Sequence, residues 1–158
     1  MKTNIGISEA NREKTSDVLA KLLADEFVLY TKTLKAHWNL EGHDFHTKHV
    51  FFEEHYNAIK TFTDSVAERI RKIGHYAPGT LKEFLDLTHL TEKYDGSNTS
   101  HDYTVALLVD HDAIIQYIRE NISKVGEEYK DVGTEDFLTG LMQEHEEMAW
   151  MLRATVAK

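Results

Sequence analysis

The sequence contains no cysteine, only one proline and no long apolar run. Without cysteine, disulfides, zinc thiolate sites, iron–sulfur clusters and cysteine nucleophiles are excluded. The longest apolar stretches, such as VALLV and MAWML, are far too short to span a bilayer. The opening MKTNIGISEANREK also lacks the apolar core of a signal peptide. We therefore expect a soluble, cytoplasmic protein with no membrane contact.

The chain has fewer basic than acidic residues, with 18 Lys and Arg and 27 Asp and Glu, which gives a formal net charge of -9. This balance disfavours nonspecific binding to nucleic acid or anionic membranes and suits a protein that collects cations. Ten histidines are many for a chain of 158 residues, although most are expected to be solvated. The length predicts a single domain, 1–158, with one hydrophobic core.

Four long segments carry apolar residues at helical intervals, and no segment shows the alternation of a strand. The first three span residues 8–37, 43–73 and 100–125. The fourth is expected to begin at Thr134, a good cap, with Glu135 and Asp136 at the positive end of the helix dipole. All four segments are long enough to be helices of one bundle.

More than twenty residues connect the second and third helices, and within them Thr80 and Glu83 form a capping-box pattern for a short helix, 81–87. Two short loops and one long crossover are what a ferritin-like four-helix bundle requires. The sequence therefore predicts an all-α, ferritin-like four-helix bundle with a short extra helix in the crossover.

Four side chains of metal-ligand type lie on the second helix as two i,i+4 pairs: His49 with Glu53, and Asp64 with Glu68. They fall in a stripe about 100° wide that faces away from the apolar stripe. Glu53 and Asp64 are separated by about 16 Å along the axis, at 1.5 Å per residue. Metal–ligand bonds are about 2 Å long, so the two pairs of one helix cannot share an ion.

The two pairs are placed symmetrically about the middle of the helix, near Ala58. If two copies of the helix pack antiparallel about a twofold axis there, His49 of one copy lies opposite Glu68 of the other. Glu53 then lies opposite Asp64, and the isologous interface creates two equivalent clusters of imidazole and carboxylate. Symmetry thus predicts a metal site shared between two subunits.

His37 ends the first helix, just before the turn WNLEGH, and an antiparallel hairpin would return it to the neighbourhood of His49. Such nitrogen and oxygen ligation suits Fe(II), Mn(II) or Zn(II), and geometry alone does not separate them. The alternative is a solvated helix face with ordinary i,i+4 charge pairs. No histidine has a glutamate three residues before it, so the Glu-x-x-His sites of ordinary di-iron bundles are unsupported.

The stretch HWNLEGHDFHTKHVFFEEHY and the following DSVAERIRKIG resemble the signature of the Dps family, the DNA-binding proteins from starved cells or miniferritins. The ending WMLRA is similar to the last helix of many members, and the resemblance covers nearly the whole chain. It implies a hollow dodecamer built from twofold dimers. It also implies an iron-storage ferroxidase that oxidises Fe(II) with hydrogen peroxide and deposits ferric mineral inside.

Carried over residue by residue, the resemblance implies that one subunit supplies three iron ligands and its neighbour two. The first three are His37, His49 and Glu53, and the other two are Asp64 and Glu68. Two iron positions per site are implied. Glu53 stands where many members have aspartate. Its longer side chain keeps the charge and would shift the second, weaker iron position.

Four further residues resemble functional positions of the family. Trp38 corresponds to a tryptophan beside the site that could donate an electron, or it is simply a packed aromatic. Glu54 corresponds to a position that nucleates mineral, although Val50 replaces the acidic neighbour usual there. Asp131 and Asp136 bracket the region that lines acidic iron-uptake pores. The alternative, interaction of Glu135 and Asp136 with the helix dipole, explains those charges nearly as well.

Two other functions remain open from the sequence. A DNA-compacting structural protein is the alternative that the family name suggests. The ends of the chain offer few cations for it, chiefly Lys2, Arg153 and Lys158, so DNA binding is expected to be weak or absent. A helical interaction module without metal would leave the reciprocal ligand pattern unexplained. Whether iron or zinc occupies the site at rest also stays open.

Overall fold

The computed structural model describes residues 3–157, which contain helices and no strand. None of the helices in this range is long and apolar enough to cross a membrane. A short π-helical segment, Lys124–Glu128, connects the last two helices. The five α-helices are α1 (Glu9–Asn39), α2 (Phe45–Lys72), α3 (Leu81–Leu87), α4 (Ser100–Ser123) and α5 (Val132–Val156). The all-α prediction and the short helix within the crossover are confirmed.

Side-chain caps begin the helices close to where the sequence predicts. The Ser8 hydroxyl accepts a hydrogen bond from the backbone of Asn11 at the start of α1. The predicted capping box of α3 is present, with Thr80 and Glu83 each satisfying a backbone N–H of the other. Such caps replace the hydrogen bonds that the first turn of a helix lacks.

The predicted start of the last helix is wrong by several residues. α5 begins at Val132, and its cap is Asp131, not Thr134. The Thr134 backbone N–H donates to Asp131 Oδ1 at 2.9 Å, and the Thr134 hydroxyl donates to Oδ2 at 2.6 Å. Aspartate caps helices at least as well as threonine, and here its carboxylate satisfies both groups of the threonine three residues later.

Two antiparallel hairpins, α1 with α2 and α4 with α5, pack together into the bundle. Each long helix buries an apolar stripe against the others, which removes about 25 cal/mol of unfavourable hydration per Å² of apolar surface. The fully or nearly fully buried residues include Leu19, Leu22, Leu29, Phe52, Ile59, Ile70, Leu107, Ile114, Ile118, Leu138, Met148 and Leu152.

Two buried charged side chains of α1 hold the crossover against the bundle. Asp25 accepts hydrogen bonds from the Thr88 hydroxyl at 2.6 Å and the His89 backbone at 3.0 Å. Lys32 pairs with Asp110 of α4 and donates to the backbone oxygen of Thr91 at 3.0 Å. The long connection is therefore held along one side of the bundle by hydrogen bonds to buried charges.

The α1–α2 turn is bonded to the end of the crossover. The backbone N–H of Glu41 donates to the Asn98 oxygen at 2.8 Å. The Ser100 hydroxyl donates to Asp44 at 2.6 Å, so the first residues of α2 and α4 lie side by side. These contacts fix the α1–α2 turn against the start of α4, at the end of the bundle where His37 and His49 lie.

Candidate metal centre

His37 and His49 hold each other in place through reciprocal hydrogen bonds. His37 Nδ1 donates to the backbone oxygen of His49 at 2.8 Å, and His49 Nδ1 donates to the backbone oxygen of His37 at 2.9 Å. Their rings stack with centroids 3.7 Å apart and planes inclined by 20°. Because a carbonyl oxygen can only accept, each Nδ1 carries a proton, and in the neutral form of the ring Nε2 presents a lone pair.

This arrangement is what metal ligation by imidazole needs. A ligating histidine usually donates its second ring nitrogen to a carbonyl or carboxylate, which sets the tautomer and the orientation of the ring. Here the two backbone carbonyls do so for two histidines at once. The pair thus presents two preorganised nitrogen donors at the junction of α1 and α2.

Glu53 lies one turn beyond His49 on the exposed face of α2 and contacts Tyr56. The Tyr56 hydroxyl donates to Glu53 Oε1 at 3.3 Å, and its ring meets His37 edge-on with centroids 5.2 Å apart. Burial, and after it the Glu53 carboxylate, raises the pKa of Tyr56, so the phenol stays a donor. Tyr56 thereby orients one oxygen of Glu53 beside the histidine pair.

Asp64 and Glu68 are exposed on the same side of α2, toward its C-terminal end. Glu68 pairs with Lys72 at 3.1 Å, an exposed i,i+4 contact that a metal ion could replace at little cost. Asp64 borders a cleft of ≈ 380 Å³ between α1, α2 and the crossover, whose lining also includes Phe27 and Tyr30. This half of the predicted ligand set therefore lies beside partly apolar surface.

One chain does not bring the two halves together. Within residues 3–157, no group of three or more His, Cys, Asp or Glu side chains is close enough to hold a metal ion. His37, His49 and Glu53 lie toward the N-terminal end of α2, and Asp64 and Glu68 toward its C-terminal end. The structure thus separates the predicted ligands as the spacing along the helix requires.

The other four predicted site residues differ in their surroundings. Trp38 is 67 % exposed beside His37, and Glu54 and Asp136 are exposed as well. Asp131 is only 2 % exposed, because it caps α5 and pairs with Arg69 at 3.1 Å. Both oxygens of Asp131 are therefore used within the subunit, and Asp131 takes the capping role that the sequence assigned to Thr134.

The sequence interpretation missed Tyr56 and the reciprocal bonds of the histidine pair. Tyr56 belongs to the apolar stripe of α2. Its position three residues after Glu53 is the only sequence signal for the hydrogen bond between these two side chains. The bonds between His37 and His49 run from side chain to backbone across the hairpin. No sequence pattern encodes such bonds.

Comparisons with known proteins agree with this architecture. A family model described as a ferritin-like domain matches residues 16–158. An uncharacterised low temperature-induced protein of Nostoc is 39% identical over 153 residues, covering 97% of this chain and 86% of that protein. DNA protection during starvation protein 2 of Bacillus anthracis is 36% identical over 138 residues, covering 87% of this chain and 93% of that protein.

Among solved structures, the Dps protein of Vibrio cholerae superposes with a TM-score of 0.91 at 26% sequence identity. The match covers 99% of this chain and 98% of that one, and that protein is described as a member of a broad superfamily of ferritin-like diiron-carboxylate proteins. The fold is thus that of the ferritin-like class. Within this class, the chain belongs to the Dps family.

Proposed function

We propose that the protein is a ferroxidase and iron-storage protein whose active sites are shared between two subunits. Pairs of chains join through α2 about a twofold axis near Ala58, and six such dimers form a hollow dodecamer. Each site takes His37, His49 and Glu53 from one subunit. The partner subunit's Asp64 and Glu68 complete it.

The observation that carries this proposal is the histidine pair, in which each Nδ1 is bonded to a backbone oxygen and each Nε2 is left to bind a metal. A site with two imidazoles and one carboxylate is only half of a usual iron environment. The other half lies about 16 Å along the same helix, at 1.5 Å per residue. An antiparallel twofold contact brings it to the histidines of the neighbouring chain.

Iron enters this scheme as substrate and then as stored product. Two ferrous ions each give one electron to hydrogen peroxide, the O–O bond breaks, and both oxygen atoms leave as hydroxide. Because the electrons are taken in a pair, no hydroxyl radical is released. The ligands hold the ions with open coordination positions for the oxidant.

Residues around the site have supporting roles in the proposal. Tyr56 keeps Glu53 oriented through its hydrogen bond. Trp38, which is exposed and follows His37 in the sequence, donates an electron or quenches a radical during the oxidation. Glu54 binds ferric ions at the start of mineral growth, and exposed Asp136 attracts ferrous ions to the uptake pore.

Co-assembly of two inactive variants tests the shared site. His49→Ala and Asp64→Ala chains are each expected to lose ferroxidase activity when assembled alone. In a mixed dimer one site carries both lesions, and the other combines the intact half of each chain. Random pairing should therefore restore about a quarter of the wild-type sites, because half of the dimers are mixed and each has one intact site.

A matched pair of variants provides the control. When His49→Ala is co-assembled with Glu53→Gln, both lesions fall in the same half of the site, so every site in a mixed dimer is damaged. This mixture should recover no activity. Sizing must show that both mixtures form shells, since an altered carboxylate cluster can weaken the dimer. Equal rates for the two mixtures would contradict the shared site.

A further inference from the structure

Trp38 exposes a large apolar surface next to the histidine pair, since 67 % of the residue is accessible. Two further apolar side chains are exposed at this end of α2. They are Phe45, which stacks on His49, and Val50, which follows His49 in the sequence. Exposed apolar side chains that are grouped mark a contact surface, whereas scattered ones need no explanation. The half-site that contains the histidines is therefore bordered by uncovered apolar surface.

Trp38 lies on the side of α1 that packs against the crossover. Phe27 and Trp38 are eleven residues apart, which is close to three helical turns, so the two side chains share one face of α1. Phe27 stacks on Phe84 of α3 with ring centroids 4.5 Å apart. At Trp38 the same side of α1 is open to solvent.

The other end of α2 borders a cleft that suits such a side chain. This is the cleft of ≈ 380 Å³ beside Asp64, and it is lined mainly by apolar residues of α1, α2 and the crossover, among them Phe27, Ala67, Pro78 and Phe84. Pockets that enclose small ligands have volumes of about 300–1,000 Å³. The cleft therefore has room for one large aromatic side chain.

The twofold contact of the shared site aligns this tryptophan with the cleft. His37 and His49 exchange hydrogen bonds from side chain to backbone, so Trp38 lies at nearly the same level along the bundle as His49. In the proposed dimer the partner subunit's His49 lies opposite Glu68, which is one residue from Ala67. A twofold axis perpendicular to the two paired helices also keeps the α1 sides of both subunits on the same side of the interface. The partner subunit's Trp38 is thus brought to the end of the cleft.

The charges of α2 favour the same antiparallel alignment. Glu53 and Glu54 make the exposed surface of its first half acidic. In its second half the exposed basic residues Lys60, Arg71 and Lys72 outnumber the two exposed carboxylates. Complementary charge across an interface fixes the register and orientation of the partners. An antiparallel contact between two copies of α2 therefore places acidic surface against basic surface.

We propose that Trp38 of each subunit packs into the cleft of its partner and covers the outer side of the shared site. This contact depends on the twofold axis of the proposed function and identifies the side chain that secures it. The partner subunit's Trp38 lies near Asp64 and Glu68, which complete the site of its own histidine pair. A tryptophan seated in a pocket of the partner is the kind of side chain that contributes most to the stability of an interface.

Cross-linking of introduced cysteines tests the contact, because the chain contains no cysteine of its own. Full-length chains that carry both Trp38→Cys and Ala67→Cys are assembled without iron and treated with a short bismaleimide. Denaturing electrophoresis should show covalent dimers for most of the protein, and each single variant should remain monomeric. Within one chain the two positions are separated by about 27 Å along α2, at 1.5 Å per residue, so the linker cannot join them.

Trp150 provides the matched control, since it is 64 % exposed and lies on α5. Trp150→Cys combined with Ala67→Cys should give no covalent dimer. Sizing over a dilution series then measures what each tryptophan contributes to assembly. Trp38→Ala shells should dissociate at a concentration roughly tenfold or more above that of the wild type. Trp150→Ala shells should dissociate at the wild-type concentration.

Fluorescence decides the question if the double-cysteine chain fails to assemble. In Trp150→Phe shells Trp38 is the only tryptophan, and acrylamide should quench it several-fold less than a free tryptophan amide. The contact is ruled out if Trp38 is quenched as strongly as the free amide, or if double-cysteine shells of normal size give no covalent dimer.

The co-assembly of His49→Ala with Asp64→Ala distinguishes this contact from the shared site. If activity recovers in that mixture and the cross-link fails, the tryptophan contact is wrong and the shared site stands. If both fail, the twofold contact itself is wrong. A cross-link without recovery of activity would support the tryptophan contact and contradict the assignment of the shared site.

Discussion

Asp131 and Asp136 are five residues apart at the start of α5, yet the fold gives them different environments. Asp131 accepts from the backbone and hydroxyl of Thr134 and pairs with Arg69 of α2. It therefore joins α2 to the first turn of α5. Asp136 is exposed and has no such contacts within the described residues. The same residue type should thus affect stability at one position and iron uptake at the other.

Replacing the buried carboxylate should destabilise the subunit strongly. Asp131→Ala leaves the Arg69 guanidinium and the Thr134 backbone N–H without their partner. The lost cap and the broken ion pair together should lower the free energy of unfolding by about 2–4 kcal/mol. Guanidinium denaturation followed by circular dichroism measures the change.

Asp136→Asn is the control at the exposed position. It should leave the denaturation midpoint unchanged and slow the uptake of Fe(II) by assembled shells, because it removes one negative charge per subunit from the proposed pore. If Asp131→Ala unfolds at the wild-type midpoint, the carboxylate does not have the capping role described here.

At the scale of the helices, the end of α2 depends on a glycine in the left-handed region. Gly74 has φ +96°, and the backbone turns away from the helix there. The guanidinium of Arg12, from the first turn of α1, lies beside Gly74 and donates to the Ile73 oxygen at 2.9 Å. The end of α2 is therefore held against the start of α1 across a space that a side chain would fill.

Gly74→Ala should consequently destabilise the hairpin of α1 and α2. A Cβ at this position would lie 2.6 Å from Arg12 Nη1 and would require a strained φ for alanine. We expect a loss of about 1–3 kcal/mol in the free energy of unfolding, from backbone strain and the displaced guanidinium. Thermal unfolding by circular dichroism would detect it.

Gly140→Ala makes the same chemical change in the interior of α5, where no atom lies within 4 Å of the added Cβ. Alanine favours helix over glycine, so this variant should gain about 0.5–1 kcal/mol. Opposite shifts of the two variants are the expected result. Equal shifts would show that the contact between Gly74 and Arg12 is unimportant.

At the scale of the whole molecule, the charge distribution argues against tight binding to DNA. The net charge is -9, and several basic residues near the ends of the chain are already occupied. Arg12 is buried, Lys14 lies over the ring of Tyr129, and Arg153 pairs with Asp112. Lys2 and Lys158 lie outside the described residues. Few cations therefore remain to neutralise phosphates.

We expect no stable complex with duplex DNA near physiological salt, because the affinity falls steeply with salt when few phosphates are neutralised. A gel-shift titration over a range of salt concentrations measures this. Arg153→Ala is the comparison variant. Because no complex with DNA is expected, its gel-shift result should be the same as that of the wild type. Strong retention of the duplex at physiological salt would support DNA compaction as a function.

The preferred oxidant is also a property to be measured on the assembled shell. On the strength of family membership, we expect Fe(II) oxidation to be faster with hydrogen peroxide than with oxygen at equal concentration. Initial rates of the ferric absorbance rise in anaerobically prepared shells compare the two. His49→Ala shells correct for oxidation outside the shared sites. Faster oxidation by oxygen would contradict hydrogen peroxide as the proposed oxidant.

Several features follow from the sequence alone, because they depend on local periodicity and spacing. The apolar stripes define four long helices, and the pattern at Thr80 and Glu83 defines the short one. The i,i+4 pairs on α2 define an exposed face of ligand-type residues whose two halves are too far apart for one ion. These properties depend only on the geometry of a helix, so the sequence predicts them well.

Other features depend on which residues meet across the bundle, and only the tertiary structure decides them. The lone pairs of His37 and His49 are free because each ring donates to a backbone oxygen of the other helix. Asp131, and not Thr134, caps α5, and Arg69 of α2 donates hydrogen bonds to both of these residues. His55, His111 and His145 are buried in the bundle, come from three different helices and lie far apart in the sequence. Hydrogen bonds and burial at such distances are set by packing, which local patterns do not encode.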